Sequence, residues 1–479
     1  MLAIPDPACA RSQTISFPVI ASLVRVFDLV LLIVAGYLSI RIETAVYGSY
    51  PKGPIEPAAW AAALAASLSL ARAGGYSQSV LMSGIAQIRR LVRPLAFGAF
   101  CLIACLFVLY HGNLPFRSWP FVWGAVAAVL TGASRLPLVR LLRRWSRGGR
   151  LARKVAIVGA GEHSRVFMER LREEPGAYRV IGLYDDRMSR MPEMPLDVPL
   201  RGTVSDLVQH SREERVDVIV VALPLTAAER IKTIMEQLSS TVADIVLTTE
   251  LPRLGLDYTQ FDVVGRNPVV AVREAPLKDW QAIEKALLDR SIALLALLLL
   301  SPLLLLTVIA IKLDSPGPVL FRQPRMGFNN RPFLCYKFRS MHTAMTDLLA
   351  DRQTTRDDPR ITRVGRIIRK LSIDELPQIF NVLNGTMSLV GPRPHAPNTK
   401  AADRLFTEVV QQYALRHRVK PGITGWAQVN GWRGETKTVD QIEQRVACDL
   451  FYIENWSIRF DIEIMIRTLL GEVRSRTAF

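Results

Sequence analysis

Apolar residues crowd the first 140 positions of the chain into four segments, roughly 17–40, 57–70, 94–111 and 119–138. Each approaches the length that about 30 Å of hydrocarbon demands of a helix. The second is the shortest and is rich in alanine. The pattern predicts a four-helix transmembrane N-terminal bundle over residues 1–150. Arg72, Arg89, Arg90 and Arg93 follow the second segment and a dense basic run over 135–153 follows the fourth, whereas the other two loops are nearly neutral. Basic loops stay in the cytoplasm, so both ends of the bundle are expected there. Arg25 and Asp28 stand at i, i+3 in the first segment and are expected to pair.

From Lys154 to about Ala275 short β runs at 154–158, 179–184, 216–223 and 243–248 alternate with polar helices. That alternation predicts a Rossmann-like α/β middle domain over 151–275. Its first strand leads into Gly159-Ala160-Gly161-Glu162-His163-Ser164, two glycines of a dinucleotide fingerprint with serine in the third place. Asp185 and Asp186 end the next strand at about the right separation for a ribose hydroxyl. Nucleotide binding is one reading. The favoured one is a degenerate domain kept for packing or dimer contacts and dispensable for the chemistry.

Residues 292–311 are apolar except for a break at Ser301-Pro302. Length alone predicts a span. The cations that follow, Lys312, Arg322, Arg325 and Arg331, favour keeping the rest of the chain in the cytoplasm. Proline removes one helix hydrogen bond and clashes with the preceding turn. The segment is therefore read as a re-entrant hairpin bent at Ser301 and Pro302, with the hydroxyls of Ser301 and Thr307 satisfying freed backbone groups. A proline-kinked span is the alternative.

A net charge of +17, from 60 Lys and Arg against 43 Asp and Glu, fits an anionic bilayer, nucleotide and lipid phosphates, or nucleic acid. The membrane segments favour the first two and argue against nucleic acid. Five cysteines, Cys9, Cys101, Cys105, Cys335 and Cys448, are odd in number and lack metal-ligand spacing, so neither a zinc site nor a disulfide framework is expected. No cleavable signal peptide is expected from the first apolar segment.

Chemistry concentrates in Ser372-Ile373-Asp374-Glu375-Leu376-Pro377-Gln378, an adjacent carboxylate pair at the predicted opening of a helix. Arg369 and Lys370 precede it and Gly391-Pro392-Arg393-Pro394 follows. Such a set supplies a carboxylate nucleophile, oxygen ligands for Mg²⁺ and cations for phosphate oxygens. Ser372-x-x-Glu375 also reads as a capping box, and the two readings are compatible at a helix start.

Around this pair lie Lys312-x-Asp314-Ser315-x-Gly317-Pro318, Phe321-Arg322-Gln323-x-Arg325-x-Gly327, Tyr336-Lys337-Phe338-Arg339-Ser340-Met341 and Asp374-Glu375-Leu376-Pro377-Gln378-Ile379-Phe380-Asn381-Val382-Leu383. Lys420-Pro421-Gly422-Ile423-Thr424-Gly425-Trp426 stands further on, either a Gly/Pro turn with an interfacial tryptophan or a donor contact. In this order the motifs closely resemble the polyprenyl-phosphate sugar-1-phosphate transferases, the large monotopic phosphoglycosyl transferases. The resemblance covers residues 280–479 most strongly and extends to the four-span plus α/β layout before them.

The resemblance implies a membrane protein whose third part, 276–479, is an α-rich monotopic catalytic domain with its re-entrant helix at 292–311. It implies a two-step reaction in which an aspartate attacks the sugar-linked phosphate of a UDP-sugar, UMP leaves, and undecaprenyl phosphate takes the sugar phosphate from the enzyme. Asp374 matches the nucleophile, and Glu375 the second carboxylate that helps place Mg²⁺ or the acceptor; Asp374 and Glu375 are the expected metal residues. Arg369 and Arg393 match phosphate-contacting arginines, while Lys337 and Asp461 match further substrate-binding positions. His395-Ala396 and Asn430-Gly431-x-Arg433-Gly434-Glu435-Thr436 look more like the glucose-1-phosphate branch, so UDP-glucose is the expected donor. The implied setting is the cytoplasmic face of a bacterial inner membrane, among membrane lipids. Oligomeric state is left open, a homodimer included. A sugar-modifying oxidoreductase lacks its full glycine fingerprint here, and a transporter or scaffold leaves these motifs unused.

Overall fold

The computed structural model describes residues 16–48, 55–111, 117–172, 177–187, 198–249, 262–265, 267–342, 358–395, 400–401, 404–405, 413–432 and 438–474. Cys9, Ala396 and residues 433–436 of the sugar-directed motif lie outside the described residues. The chain forms two compact units, one built on residues 7–153 with 174–179 and one on 154–173 with 180–479.

The first unit holds α1 Phe17–Tyr47, α2 Ile55–Arg72, α3 Gln78–Leu81, α4 Gly84–Leu109 and α5 Trp119–Arg147. Helices α1, α4 and α5 are long and apolar enough to cross a membrane. Helix α2 buries a stripe of alanines, Ala58, Ala59, Ala62, Ala63 and Ala66. A Cβ on Gly98 of α4 would lie 2.9 Å from the Cβ of Ala66 and 2.7 Å from the Trp123 ring. Small residues at such contacts let helix backbones approach closely where lipid supplies no hydrophobic drive. One expectation is corrected: Asp28, 1% exposed, pairs with Arg135 of α5 at 2.5 Å, not with Arg25. Arg25 lies on the exposed side of α1, whereas Asp28 faces the interior, where an ion needs a partner.

The second unit begins with a mixed seven-stranded sheet ordered β3-β2-β1-β4-β5-β7-β6. Its strands are β1 Arg153–Val158, β2 Tyr178–Tyr184, β3 Leu200–Gly202, β4 Val218–Val221, β5 Asp244–Thr248, β6 Asp262–Val264 and β7 Asn267–Arg273. Strands β1, β4 and β5 run parallel, whereas β7 and β6 are antiparallel additions. Val155 to Val158 and Val218 to Val221 are buried on both faces, as expected of central parallel strands covered by helices. The helices are α6 Glu162–Arg172, α7 Val204–Glu213 and α8 Ala228–Gln237.

Next comes α9 Asp279–Asp314, a single helix of 36 residues with Pro302 inside it. The expected break at Ser301 and Pro302 does not end the helix: the two arms on either side of Pro302 belong to one helical element. The physical reason is local repair. Pro302 has no N–H for the carbonyl of Leu298, and the Ser301 hydroxyl donates to that oxygen at 2.9 Å. Thr307 donates to Leu303 O at 2.8 Å, so both hydroxyls back-bond as expected. Ala293, Leu297, Leu300, Leu304, Thr307 and Ile311 lie at alternating four- and three-residue spacing and form one stripe along α9. Its apolar members pack on the domain that follows, against Cys335, Ile379 and Val382 at one end and Phe338 and Ile368 at the other. Leu294, Leu295, Leu298, Leu299, Leu305, Leu306 and Leu313 are exposed on the remaining faces. Helix α9 is also long and apolar enough to cross a membrane. With α1, α4 and α5 it marks the chain as a membrane protein.

The remainder is a compact domain of β8 Leu320–Met326 paired antiparallel with β9 Pro332–Phe338, then α10 Arg363–Lys370, α11 Gln378–Leu383, β10 Ser388–Val390, β11 Gly422–Thr424, α12 Val439–Glu454 and α13 Ile458–Arg474. Both flanks of α9 are fastened to it. Lys285 donates to Val390 O at 3.1 Å and Asp289 accepts from Leu389 N at 3.1 Å. At the other end Arg339 donates to Ser315 O at 2.6 Å and Asp314 accepts from Val364 N at 3.1 Å.

Candidate active site

The acidic pair sits on a short 3₁₀ turn, Ile373–Glu375, between α10 and α11. Ser372 enters it in the left-handed region with φ 56°, an uncommon conformation for a residue with a Cβ. The expected capping box is not formed. Ser372 makes no capping bond from its side chain, and both oxygens of Glu375 point to cations instead. A three-residue turn also offers no extended helix dipole. The turn is held from behind by Asn381 of α11, which accepts from Tyr336 N at 2.9 Å and donates to Leu334 O at 2.7 Å, tying α11 to β9.

Glu375 is gripped on both oxygens. Arg393 donates to Oε1 at 2.5 Å and to Oε2 at 3.1 Å, a bidentate pair, and Lys337 of β9 donates to Oε1 at 2.8 Å. Burial alone would raise its pKa, but Arg393 and Lys337 outweigh burial and hold it well below the usual range. Asp374 is the opposite case. It makes no hydrogen bond or ion pair with any described residue, although Lys337, Arg369 and Arg393 act on it through space. Burial, joined by the charge of Glu375, wins over those cations and raises its pKa. Two adjacent carboxylates are thus pushed apart, one fixed as an anion and one held ready.

The guanidinium of Arg369, in the last turn of α10, makes no hydrogen bond or ion pair with any described residue and lies close enough to act on the Asp374 charge. A guanidinium carries five N–H donors, and Arg393 spends two on Glu375. Both arginines therefore keep donors for phosphate oxygens. Four of the expected residues, Asp374, Glu375, Lys337 and Arg393, form one cluster, with Arg369 beside it. Asp461 does not join them. It is fully buried, bound by Lys285 at 2.7 Å, by the Tyr452 hydroxyl at 2.8 Å and by Trp456 Nε1 at 3.1 Å. With both oxygens occupied inside the core, Asp461 ties α13 to α9 through Lys285 and to α12 through Tyr452. Ser301 and Pro302 belong to α9 and not to this cluster.

A second layer fixes the Arg393 loop. Arg416, 1% exposed, donates to Arg393 O at 3.0 Å and forms an ion pair with buried Asp449 at 2.6 Å. His395 is wedged between Tyr413, Arg416 and Arg445. Burial first, then the charges of Arg416 and Arg445, hold its pKa well below the ordinary range, so the imidazole is neutral. From the other side Arg325 donates to Pro394 O at 3.3 Å and Met326 N to His395 O at 3.2 Å. Strand β10 pairs parallel with β11. A Cβ on Gly391 would lie 2.5 Å from Lys420 O, and one on Gly422 would lie 2.1 Å from Gly391 N. Within the Lys420 to Trp426 motif Gly422 is required by this backbone contact, since no side chain fits there. Asn381 lies in the motif that carries Asp374, whereas Arg416 and Asp449 carry no distinctive spacing in the sequence, because a support residue is marked only by what it touches.

The glycine turn after β1 is closed on itself. Asp185 accepts from Ala160 N at 2.8 Å and from Arg187 N at 2.9 Å, and it pairs with Arg230. Asp186 accepts from Val204 N at 2.9 Å at the start of α7. Both acids expected near a ribose are engaged within the domain.

A family model described as bacterial sugar transferase matches residues 280–475, and one described as CoA-binding domain matches residues 71–249. An undecaprenyl-phosphate glucose phosphotransferase of Komagataeibacter xylinus is 42% identical over 82% of this chain and 73% of its own length. A UDP-glucose:undecaprenyl-phosphate glucose-1-phosphate transferase of Escherichia coli (strain K12) is 37% identical over 71% of this chain and 72% of its own. Another of that name, from Xanthomonas campestris pv. campestris, is 32% identical over 95% of this chain and 94% of its own. Together with the apolar helices, these relationships identify the chain as a membrane enzyme belonging to the bacterial sugar transferase family, the polyprenyl-phosphate hexose-1-phosphate transferases.

Proposed function

We propose that this enzyme transfers glucose 1-phosphate from UDP-glucose to undecaprenyl phosphate at the cytoplasmic face of a bacterial inner membrane, beginning an exopolysaccharide or capsule. The observation that carries the reading is the division of labour between the adjacent acids: Glu375 is locked by Arg393 and Lys337, while Asp374 is without a hydrogen-bonding partner among the described residues. An Asp374 oxygen attacks the sugar-bearing phosphorus. The bond from that phosphorus to the bridging oxygen breaks, UMP leaves with the electron pair, and an aspartyl phosphosugar remains. A phosphate oxygen of the polyprenyl acceptor then attacks the same phosphorus and releases the Asp374 carboxylate. A covalent intermediate lets a soluble donor and a lipid acceptor use one site in turn.

Attack by an anion on a phosphate needs its oxygens neutralised, and the unspent donors of Arg393, Lys337 and Arg369 are placed for that. Mg²⁺ belongs to the same proposal. A carboxylate offers about four lone-pair sites, of which Glu375 uses three on its cations, so it retains one while Asp374 retains its own. That donor set suits an ion that takes one or two carboxylates plus substrate phosphates and water. When bound, Mg²⁺ supplies charge neutralisation at the diphosphate.

Helix α9 is read as entering one leaflet without crossing. Its single packing stripe runs along the same catalytic domain on both sides of Pro302, and both flanks are tied to that domain. The parallel order of β1, β4 and β5 supports a Rossmann-like reading of the middle domain. Glucose as the sugar rests on the names of the relatives and on the His395 and Asn430 motifs. The reaction is tested by incubating the enzyme with labelled UDP-sugars and undecaprenyl phosphate: UMP release with UDP-glucose supports the reading, whereas UDP release means ordinary glycosyl transfer.

A further inference from the structure

The α/β sheet and the catalytic domain lie in one compact unit, and several hydrogen bonds between them fall on two segments that also hold the active-site loop. The first is the turn between β8 and β9. Asn329 and Asn330 both stand in the left-handed region, with φ 55° and 54°, which asparagine tolerates better than most residues. Asn329 Nδ2 donates to Ser211 O at 2.7 Å, and Asn330 Nδ2 reaches Ser240 O at 3.5 Å. Ser211 lies in the last turn of α7 and Ser240 ends a 3₁₀ turn. Carbonyls at helix ends lack intrahelical partners, so the catalytic domain supplies caps that the α/β domain needs.

The second segment is the 3₁₀ stretch Tyr413–Arg418. Arg418 donates to Glu274 O at 2.6 Å, and His417 Nδ1 bonds the Asn330 side-chain oxygen, joining the two segments. Each then reaches the Arg393 loop within a few residues. From the β8–β9 turn, Met326 and Arg325 hold His395 O and Pro394 O; from the other, Arg416 holds Arg393 O. Arg393 in turn grips Glu375.

We propose that the α/β domain is a positioning platform for Arg393, acting through Asn329 on one arm and Arg418 on the other. This reverses the expectation that the middle domain is dispensable for the chemistry. It rests on the reading that Asp374, Glu375 and Arg393 form the active site. Neither Asn329 nor Arg418 touches substrate in this account; both are positioning residues.

The test uses the full-length membrane enzyme. Asn329→Gly keeps the left-handed turn and removes only the amide, and Arg418→Gln removes the guanidinium of the other arm. Displacing a phosphate-directed arginine by a fraction of an ångström acts on the transition state more than on binding. The expected result for each variant is a kcat lower by about tenfold, with KM for UDP-glucose within about twofold of wild type. Phe328→Ala, at an exposed neighbour in the same turn, serves as the control and is expected to match wild type. Wild-type kcat in both docking variants overturns the proposal, as does a rise in KM alone or an equal loss in the Phe328 control. Asp374→Asn is assayed beside them: an active Asp374→Asn enzyme sinks the site reading itself, whereas an inactive one beside normal docking variants sinks only the platform.

Discussion

The end of β2 and the turn before α11 each present an acidic pair in a setting that suggests phosphate recognition. In the first, Asp185 gives its oxygens to Ala160 N, Arg187 N and Arg230, and Asp186 caps the start of α7. In the second, Glu375 absorbs two cations while Asp374 is left without a hydrogen bond from any described residue. The opposite pKa directions express the same contrast. Burial alone would raise the Asp185 pKa, but backbone N–H groups and Arg230 outweigh it and lower the value, whereas burial prevails at Asp374 and raises it. A carboxylate whose acceptors are all used stabilises a turn; one without partners in an electropositive shell can react.

The largest expected effect separates the two turns outright. Asp374→Asn removes the carboxylate proposed as nucleophile and is expected to abolish transfer, read as loss of UMP release. Asp185→Asn should leave kcat near wild type in the folded fraction and lower unfolding stability by about 1–3 kcal/mol, the cost of disturbing buried hydrogen bonds. Comparable loss of turnover in the two variants would erase the distinction.

Chelation comes next. EDTA is expected to abolish activity and added Mg²⁺ to restore it, because the remaining acceptors at Asp374 and Glu375 suit a hard ion. Full turnover in chelator removes the metal from the mechanism. Arg393→Lys should then lower kcat by about 10²-fold, since an ammonium cannot replace the bidentate grip on Glu375 and also reach phosphate. A change below threefold would mean that Glu375 does not depend on that grip.

The smallest effect is in pH dependence. The reacting form of Asp374 is the anion, and its pKa lies above the ordinary aspartate value of about 4. Activity should therefore fall as pH drops through that raised value. Glu375 has a depressed pKa, so the stability from its ion pairs is fully present above its unfolded pKa and is lost progressively as pH falls from there through the lower, folded one. The acid limb of kcat/KM should consequently lie above the acid-unfolding transition attributable to Glu375. Coincidence of the two would assign the limb to unfolding.

Much of this was legible in the sequence, and what was not has identifiable causes. Apolar periodicity located the helices of the bundle and α9, but it could not show that Asp28 reaches across to Arg135, because i, i+3 spacing marks only neighbours on one helix surface. The Ser301-Pro302 break was visible as chemistry, yet back-bonding to Leu298 lets the helix continue through it. Ser372-x-x-Glu375 matched a cap in spelling; the nearby cations Arg393 and Lys337 claimed the glutamate instead. Asp461 stood among the residues the resemblance pointed to; its burial against Lys285 and Tyr452 is a property that short motifs do not encode.

The most direct test of the central claim is peptide mass spectrometry of the full-length enzyme after brief incubation with UDP-glucose and Mg²⁺, without undecaprenyl phosphate. The account predicts a hexose-phosphate adduct on Asp374 that disappears when the lipid acceptor is added. An adduct on Glu375 or on any other residue, or UMP release that occurs only when donor and acceptor are present together with no adduct at any time, would contradict it.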